Sequence, residues 1–562
     1  MKFSEMPYVR PDLDQLKALA QQTVAGLDNA ASAAQQADLF YIYEKAEKTV
    51  ETMSAIAYIR HSIDTRDEYY TQEQDWMDQA MPQFEQLRQQ VNLALLRSPY
   101  RPELSSILGE LLFTNLEIAV RSFKPELMPL MAEENKLVSD YQKLYASAMV
   151  EFDGKTMPLP MLGPYKQSTD RAVRKAAYET EGRFFDEHQE ELDTLYDQLV
   201  KNRTAQGKLM GYDNFIPLGY DRMNRNCYDP AKVAAFRQQV AGDLVPVVCR
   251  VKKNQQQRLG LDQLSLYDDV MNFADGNATP MGTADDILKA GLEMYHNLSP
   301  ETAEFIDFLY ENELLDVLSK PGKGPGGYCS SLPDYQAPFI FSNFNGTSGD
   351  VDVLTHEAGH AFADYRAARK GYIRALQSPT MEACECHSMS MEFLTQDFHK
   401  LFFGSDTRKY EISHCEDSLS FIPYGCMVDE FQHEVYANPD LTPAQRNELW
   451  MGLEKKYRPW LDLENLPFFG RGAGWQRQLH IYLMPFYYID YCMAQTVALQ
   501  FWIASMNNRE DAWNRYLAFT DLGGSRSFES LVRSAGLEVP YEDGCIGRIG
   551  LAIEQWLSKN PL

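Results

Sequence analysis

The sequence predicts a mainly α protein with at least two lobes and one small patch of β structure. Three observations predict it. Apolar and aromatic residues recur at helical spacing over long stretches, as in Phe185, His188, Leu192, Leu195 and Leu199, which marks an amphipathic helix. The 562 residues exceed what one hydrophobic core supports, and a 44% hydrophobic content can fill a large one. Residues that favour strands cluster in one place, Phe339-Ile340-Phe341-Ser342-Asn343-Phe344.

Taken in order, the first 150 residues read as helix, as in the run from Ala33 to Thr65, and carry no nameable motif. Proline and glycine break the pattern at 99–102, 152–164, 274–282, 320–327 and 466–474. The stretch Phe339–Phe344 alternates and ends on the turn Asn345-Gly346, so it reads as an edge strand able to pair with an extended peptide. Val351–Lys370 is free of proline and reads as a helix, and Ser378-Pro379 is a start signal for another. Leu483–Met506 is the longest apolar stretch, but Asp490, Gln495 and Gln500 interrupt it. It reads as a buried core helix and not as a membrane span. The expected division is a helical lobe over residues 1–195 and a catalytic region over 196–562, with no internal repeat.

The chemistry concentrates in His356-Glu357-Ala358-Gly359-His360. Histidines at i and i+4 share one helix face with Cβ atoms roughly 6 Å apart, which suits two imidazoles on one metal ion. Glu357 lies about 100° further round the helix, beside the metal, where a general base for a water belongs. Val353, Leu354, Ala358, Ala361 and Phe362 give the motif an apolar surround. Buried imidazoles need partners. Gly359 costs the helix about 1 kcal/mol against alanine, and a small residue there lets another backbone or a substrate come close.

A catalytic zinc site takes three protein ligands and leaves one position open. The third comes from the next helical segment, where Glu382, Glu385, Met389 and Glu392 fall on or near one face. Spacing alone leaves Glu382, Glu385 and Glu392 as alternatives. Cys384 and Cys386 point to other helix faces than Glu385 and read as small buried residues.

The segments HEAGHAF and GYIRALQSPTMEACECHSMSMEF resemble the thimet oligopeptidase and oligoendopeptidase F family of zinc metallopeptidases. So do the glycine-rich Gly326-Gly327-Tyr328-Cys329, the stretch Phe152 to Arg174, and Gly470 to Tyr491. The family's third ligand stands twenty-five residues after the second histidine, which falls on Glu385. The resemblance implies one Zn2+ held by His356, His360 and Glu385, with Glu357 as base and Glu392 orienting a ligand. It implies that His480, Tyr488 and Tyr491 line the cleft and stabilise the oxyanion, with Tyr482 and Tyr487 as alternative tyrosines. One such donor contributes about 2.7–4 kcal/mol. Phe341, Asn343 and Gly346 are the expected substrate contacts. The implied fold is a two-lobed helical ellipsoid with a deep substrate channel, a small sheet near the zinc helix and a zincin-like catalytic core. The implied activity is cleavage inside short, unstructured peptides.

Composition sets limits. A net charge of −27 speaks against nucleic acid as a partner. The opening MKFSEMPYVRPD has no apolar core of a secretory signal, and the nine cysteines form no paired framework. A cytoplasmic protein with free thiols and no membrane partner is expected. Two other readings remain open at this stage. One is an exopeptidase of similar motif, which needs a cationic anchor for a terminal carboxylate. The other is a peptide-binding protein without catalysis.

Overall fold

A computed structural model describes residues 1–463 and 466–562. The chain forms two compact units, each built from three separate segments. One unit gathers Met1–Val120, Thr279–Thr407 and Val497–Glu538; the other gathers Arg121–Ala278, Arg408–Thr496 and Val539–Leu562. Helix dominates both, as the sequence predicts.

In the first unit the N-terminal helices Leu13–Asn29, Ala33–Ile63 and Glu68–Leu96 begin at side-chain caps. Asp12, Ser32 and Asp67 each accept a backbone N–H of the first turn, replacing a bond the helix cannot make for itself. Their apolar faces meet in a core of Leu16, Phe40, Phe84 and Leu95, joined by Leu112 and Phe113 of helix Glu110–Arg121.

The same unit holds a three-stranded sheet. Numbering strands in chain order, the hairpin β1 (Met149–Phe152) and β2 (Lys155–Pro158) belongs to the second unit. The sheet here is β3 (Leu315–Leu318), β4 (Tyr328–Leu332) and β5 (Ala337–Phe344), in the order β3-β5-β4. The longest strand, β5, is therefore central. It pairs antiparallel with β4, Tyr328 opposite Phe341, and parallel with β3, Leu315 opposite Ile340. This corrects the expectation of an edge strand at Phe339–Phe344. Both backbone edges of β5 are occupied, and all its residues but Asn343 are buried. Both strands beside it, β3 and β4, are outer strands, and residues Tyr328–Ser331 of β4 are half-buried.

The three residues expected to touch substrate have internal duties. Phe341 is 0% exposed and stacks on Tyr328 at 4.8 Å. The Asn343 side-chain amide donates to the carbonyls of Gly324 and Gly326, pinning the glycine-rich loop. Gly346 has φ +87°, and its N–H donates to Asp350. That carboxylate also accepts from the N–H of Asn345, fixing the turn that leads into helix Gly349–Ala368.

Helix Gly349–Ala368 packs on the sheet and on helix Met381–Leu394. The contact is closest at Gly359. A Cβ there would lie 2.6 Å from Ser388 Cα and 2.8 Å from the His387 carbonyl. Glycine lets the two helix backbones meet, so the approaching backbone is that of the second helix. Tyr516 donates to the His387 carbonyl at 2.8 Å, and Arg366 and Lys370 share Asp521. These contacts tie both helices to helix Arg509–Asp521.

The second unit is organised by aromatic packing. Tyr141 stacks on Tyr482 at 3.9 Å, and Trp475 lies against Tyr196, Phe431 and Tyr482. Arg203 is fully buried and donates to Glu134, to the Tyr436 hydroxyl and to the Tyr482 carbonyl. Arg225 and Asp490 form an enclosed ion pair at 2.7 Å, and Arg225 also donates to the Phe486 carbonyl. The apolar stretch near Leu483–Met506 becomes helix Tyr488–Asn507, which counts with the first unit from Val497 onward; Ile489, Val497 and Phe501 are fully buried. Among the described residues no helix is long and apolar enough to cross a membrane.

Candidate metal centre

His356 and His360 project from one face of helix Gly349–Ala368, their rings 5.0 Å apart and nearly perpendicular. Helix Met381–Leu394 brings Glu385 to them. One carboxylate oxygen, Glu385 Oε2, lies 3.3 Å from His356 Nε2 and 3.4 Å from His360 Nε2. Donor atoms of these three residues all lie within 4.8 Å of one another, the arrangement of a cation site. No cysteine belongs to the group. Cys386 is buried, and the Cys384 thiol faces the Pro379 carbonyl.

The three glutamates left open by spacing separate here. Glu385 faces both Nε2 atoms. Glu392 contacts His356 on its other nitrogen, Nδ1, at 2.7 Å. Glu382 accepts from the Thr380 hydroxyl at 2.7 Å. Glu392 thereby fixes the ring orientation of His356 and leaves Nε2 pointing at the shared centre. Ser388, one turn beyond Glu385, donates to Glu385 Oε2 at 3.1 Å. Sequence reasoning missed Ser388, although its place three residues on from Glu385 is the signal for it.

The electrostatics fit a cation between the donors. Burial opposes a charge on His356, but the carboxylates of Glu385 and Glu392 outweigh it and hold the ring well above the usual histidine range. Burial alone would raise Glu385; hydrogen bonds from His356 and His360 hold it well below the usual carboxylate range. Glu357 is only 9% exposed, and burial raises it, against the pull of both histidines. Two imidazole nitrogens and one carboxylate oxygen form a donor set that would fit a zinc ion.

In the second unit the His480 ring lies 4.9 Å from Tyr488, 6.0 Å from Tyr491 and 5.8 Å from Tyr487. Tyr482 is fully buried and donates to the Leu192 carbonyl, so it belongs to the core and not to this group. Burial holds the Tyr488 phenol well above its usual range and keeps it protonated. Two residues that sequence reasoning missed orient His480. Tyr424 donates to Gln478 Oε1 at 2.8 Å, which turns the Gln478 amide nitrogen toward His480 Nδ1 at 2.9 Å. With Nδ1 accepting, Nε2 carries the proton and His480 presents an N–H donor.

A mainly α chain in which a His-Glu-x-x-His helix meets a glutamate from the next helix has the donor set of a candidate metal site. Comparison with known proteins gives the family. Residues 164–551 match the model of peptidase family M3, and residues 3–123 match the peptidase M3 N-terminal domain. The chain belongs to peptidase family M3 and is a peptidase. It is 23% identical to an oligoendopeptidase F homolog of Lactococcus lactis, over 94% of this chain and 90% of that protein. Among solved structures it resembles PZ peptidase A with an inhibitor, at 46% identity and TM-score 0.94 over 99% of both chains. A Bacillus anthracis chain solved as an oligoendopeptidase F gives 43% identity and TM-score 0.89, over 100% of this chain and 98% of that one.

Proposed function

We propose that this chain is a zinc-dependent endopeptidase that cleaves internal bonds of short, unstructured peptides. The observation that carries the reading is the convergence of His356 and His360 on one oxygen of Glu385, with buried Glu357 on the same helix. His356, His360 and Glu385 would hold the ion. When bound, zinc supplies Lewis acidity and lowers the pKa of its water toward about 7.

The chain's own residues do the rest. Glu357 accepts a proton from the attacking water and passes it to the leaving amine. Its raised affinity for protons suits the accepting half of that transfer. Glu392 holds His356, and Ser388 holds Glu385. His480 and the Tyr488 and Tyr491 phenols donate hydrogen bonds to the oxyanion, Gln478 fixing the donor form of His480. The outer edge of β4 is the natural place for the substrate backbone to add as a strand, since β5 has no free edge. None of the nine cysteines is in a disulfide among the described residues, which supports work in a reducing compartment such as the cytoplasm.

The test is a peptide blocked at both ends, incubated with wild type and with Glu357→Gln, the products read by mass spectrometry. Wild type is expected to cut inside the peptide. Glu357→Gln should keep its zinc and turn over at least about a hundredfold slower, the lower end for general acid–base catalysis. Near-wild-type turnover would remove Glu357 from its role. A wild type that leaves the blocked peptide intact but trims the same peptide with free ends would make the protein an exopeptidase.

A further inference from the structure

The short helical turn Gly474–Arg477 is anchored by its first residues. Trp475 Nε1 donates to Asn447 at 2.9 Å and Gln476 donates to Asp193 at 2.6 Å, both within the second unit. Arg477 stands apart. Its Nη1 makes one long contact, 3.4 Å to Glu181 Oε2, and Nε and Nη2 meet no acceptor among the described residues. The side chain remains 39% exposed, although Phe469 and the phenols of Tyr145, Tyr178 and Tyr424 surround it.

Charge does not balance there. Glu181 is already taken by Lys166 at 2.8 Å, through its other oxygen. The neighbouring Arg458 is matched by Glu454. Among the described residues one carboxylate thus faces two cations, Lys166 and Arg477, and a positive charge is left over there in a chain whose net charge is −27. A guanidinium with two donors unmet among the described residues, walled by aromatic rings on a side chain that is 39% exposed, is the chemistry that recognises a carboxylate. Chain connectivity places it near the reacting group of the proposed function. Three Cα steps of about 3.8 Å separate Arg477 from His480, so the two lie within about 11 Å. An extended peptide covers that distance in about three residues.

We infer that Arg477, backed by Lys166, binds a carboxylate of the peptide substrate about three residues from the cleaved bond. The carboxylate is either the substrate's C-terminus or an acidic side chain. The inference rests on the reading of His480 as a group beside the scissile bond.

The experiment compares peptides of one sequence: neutral and blocked at both ends, with a free C-terminal acid, or blocked with one glutamate in place of glutamine near the cut. Wild type should favour one of the two charged forms by at least about tenfold in kcat/KM, the size of one charge-assisted hydrogen bond, with the difference in KM. The favoured form identifies the source. Arg477→Gln should bring the ratio near one, and Arg477→Lys should keep part of it. Because the ratio compares substrates on one protein, partial misfolding cannot mimic its loss. A wild type indifferent to both carboxylates, or a preference that survives Arg477→Gln, overturns the assignment. Titrating the same peptides onto Glu357→Gln reads the preference without turnover. A protein that cleaves nothing yet prefers the carboxylate would keep this site and lose only the peptidase reading.

Discussion

Glu382 and Glu385 stand one helical turn apart, and both are buried, yet only Glu385 faces the two imidazoles. Two histidines alone are too few for a tight tetrahedral site. Glu385→Ala should therefore lose most of its zinc on dialysis, while Glu382→Ala, which gives up a contact to Thr380, should retain it. Metal content by atomic spectroscopy checks both, and the reverse pattern would move the ligand by one turn. The motif made the two histidines and Glu357 legible, because i, i+4 spacing is a statement about geometry. The family resemblance singled out Glu385 from three candidates on or near one helix face. Gln478 and Tyr424 were not legible. They act through a hydrogen-bond relay to His480, and Tyr424 lies 56 residues before it in sequence.

At the scale of elements, the helix pair Gly349–Ala368 and Met381–Leu394 sets the distance between the donors, and Gly359 sets the distance between the helices. Alanine at an ordinary helix position stabilises by about 1 kcal/mol over glycine. At Gly359 the added methyl meets backbone at 2.6 Å and 2.8 Å, which cannot yield as a side chain would. Overpacking of this kind costs about 1–3 kcal/mol. Gly359→Ala should thus lower stability and weaken zinc binding together, because the helix carrying Glu385 is pushed away. Gly452→Ala, in an open position of helix Pro443–Tyr457, should leave zinc binding unchanged and raise stability by up to about 1 kcal/mol. Denaturant melts with a zinc titration separate the two, and a Gly359→Ala protein with wild-type affinity would show that the contact does not set the site. The need for a small residue was legible in the sequence, but its partner was not. The position of β5 was misread for a related reason. Alternation reports which side chains are buried, and says nothing of which backbone edges are paired.

For the whole molecule, helix content and the existence of more than one compact body followed from periodicity and length. The assembly of those bodies did not. The unit that holds the metal centre joins residues 1–120 to 279–407 and 497–538, and no local pattern announces contacts between segments so far apart. The first 150 residues offered no motif, yet 3–123 match the N-terminal domain of the family. All three proposed ligands lie inside this one unit, on two different helices. Binding there must therefore stabilise the unit as a whole, since the unfolded chain cannot hold the three donors together. With free zinc at a hundredfold excess over its dissociation constant, the gain should be about 2.7 kcal/mol. Hydrogen exchange with and without a chelator reads it locally: protection should rise with zinc in both 349–368 and 381–394, and in Arg509–Asp521, which is tied to them through Tyr516 and Asp521. Glu385→Ala should show no zinc-dependent rise. Equal protection in the wild type with and without zinc would mean that the three side chains do not act as one cation site.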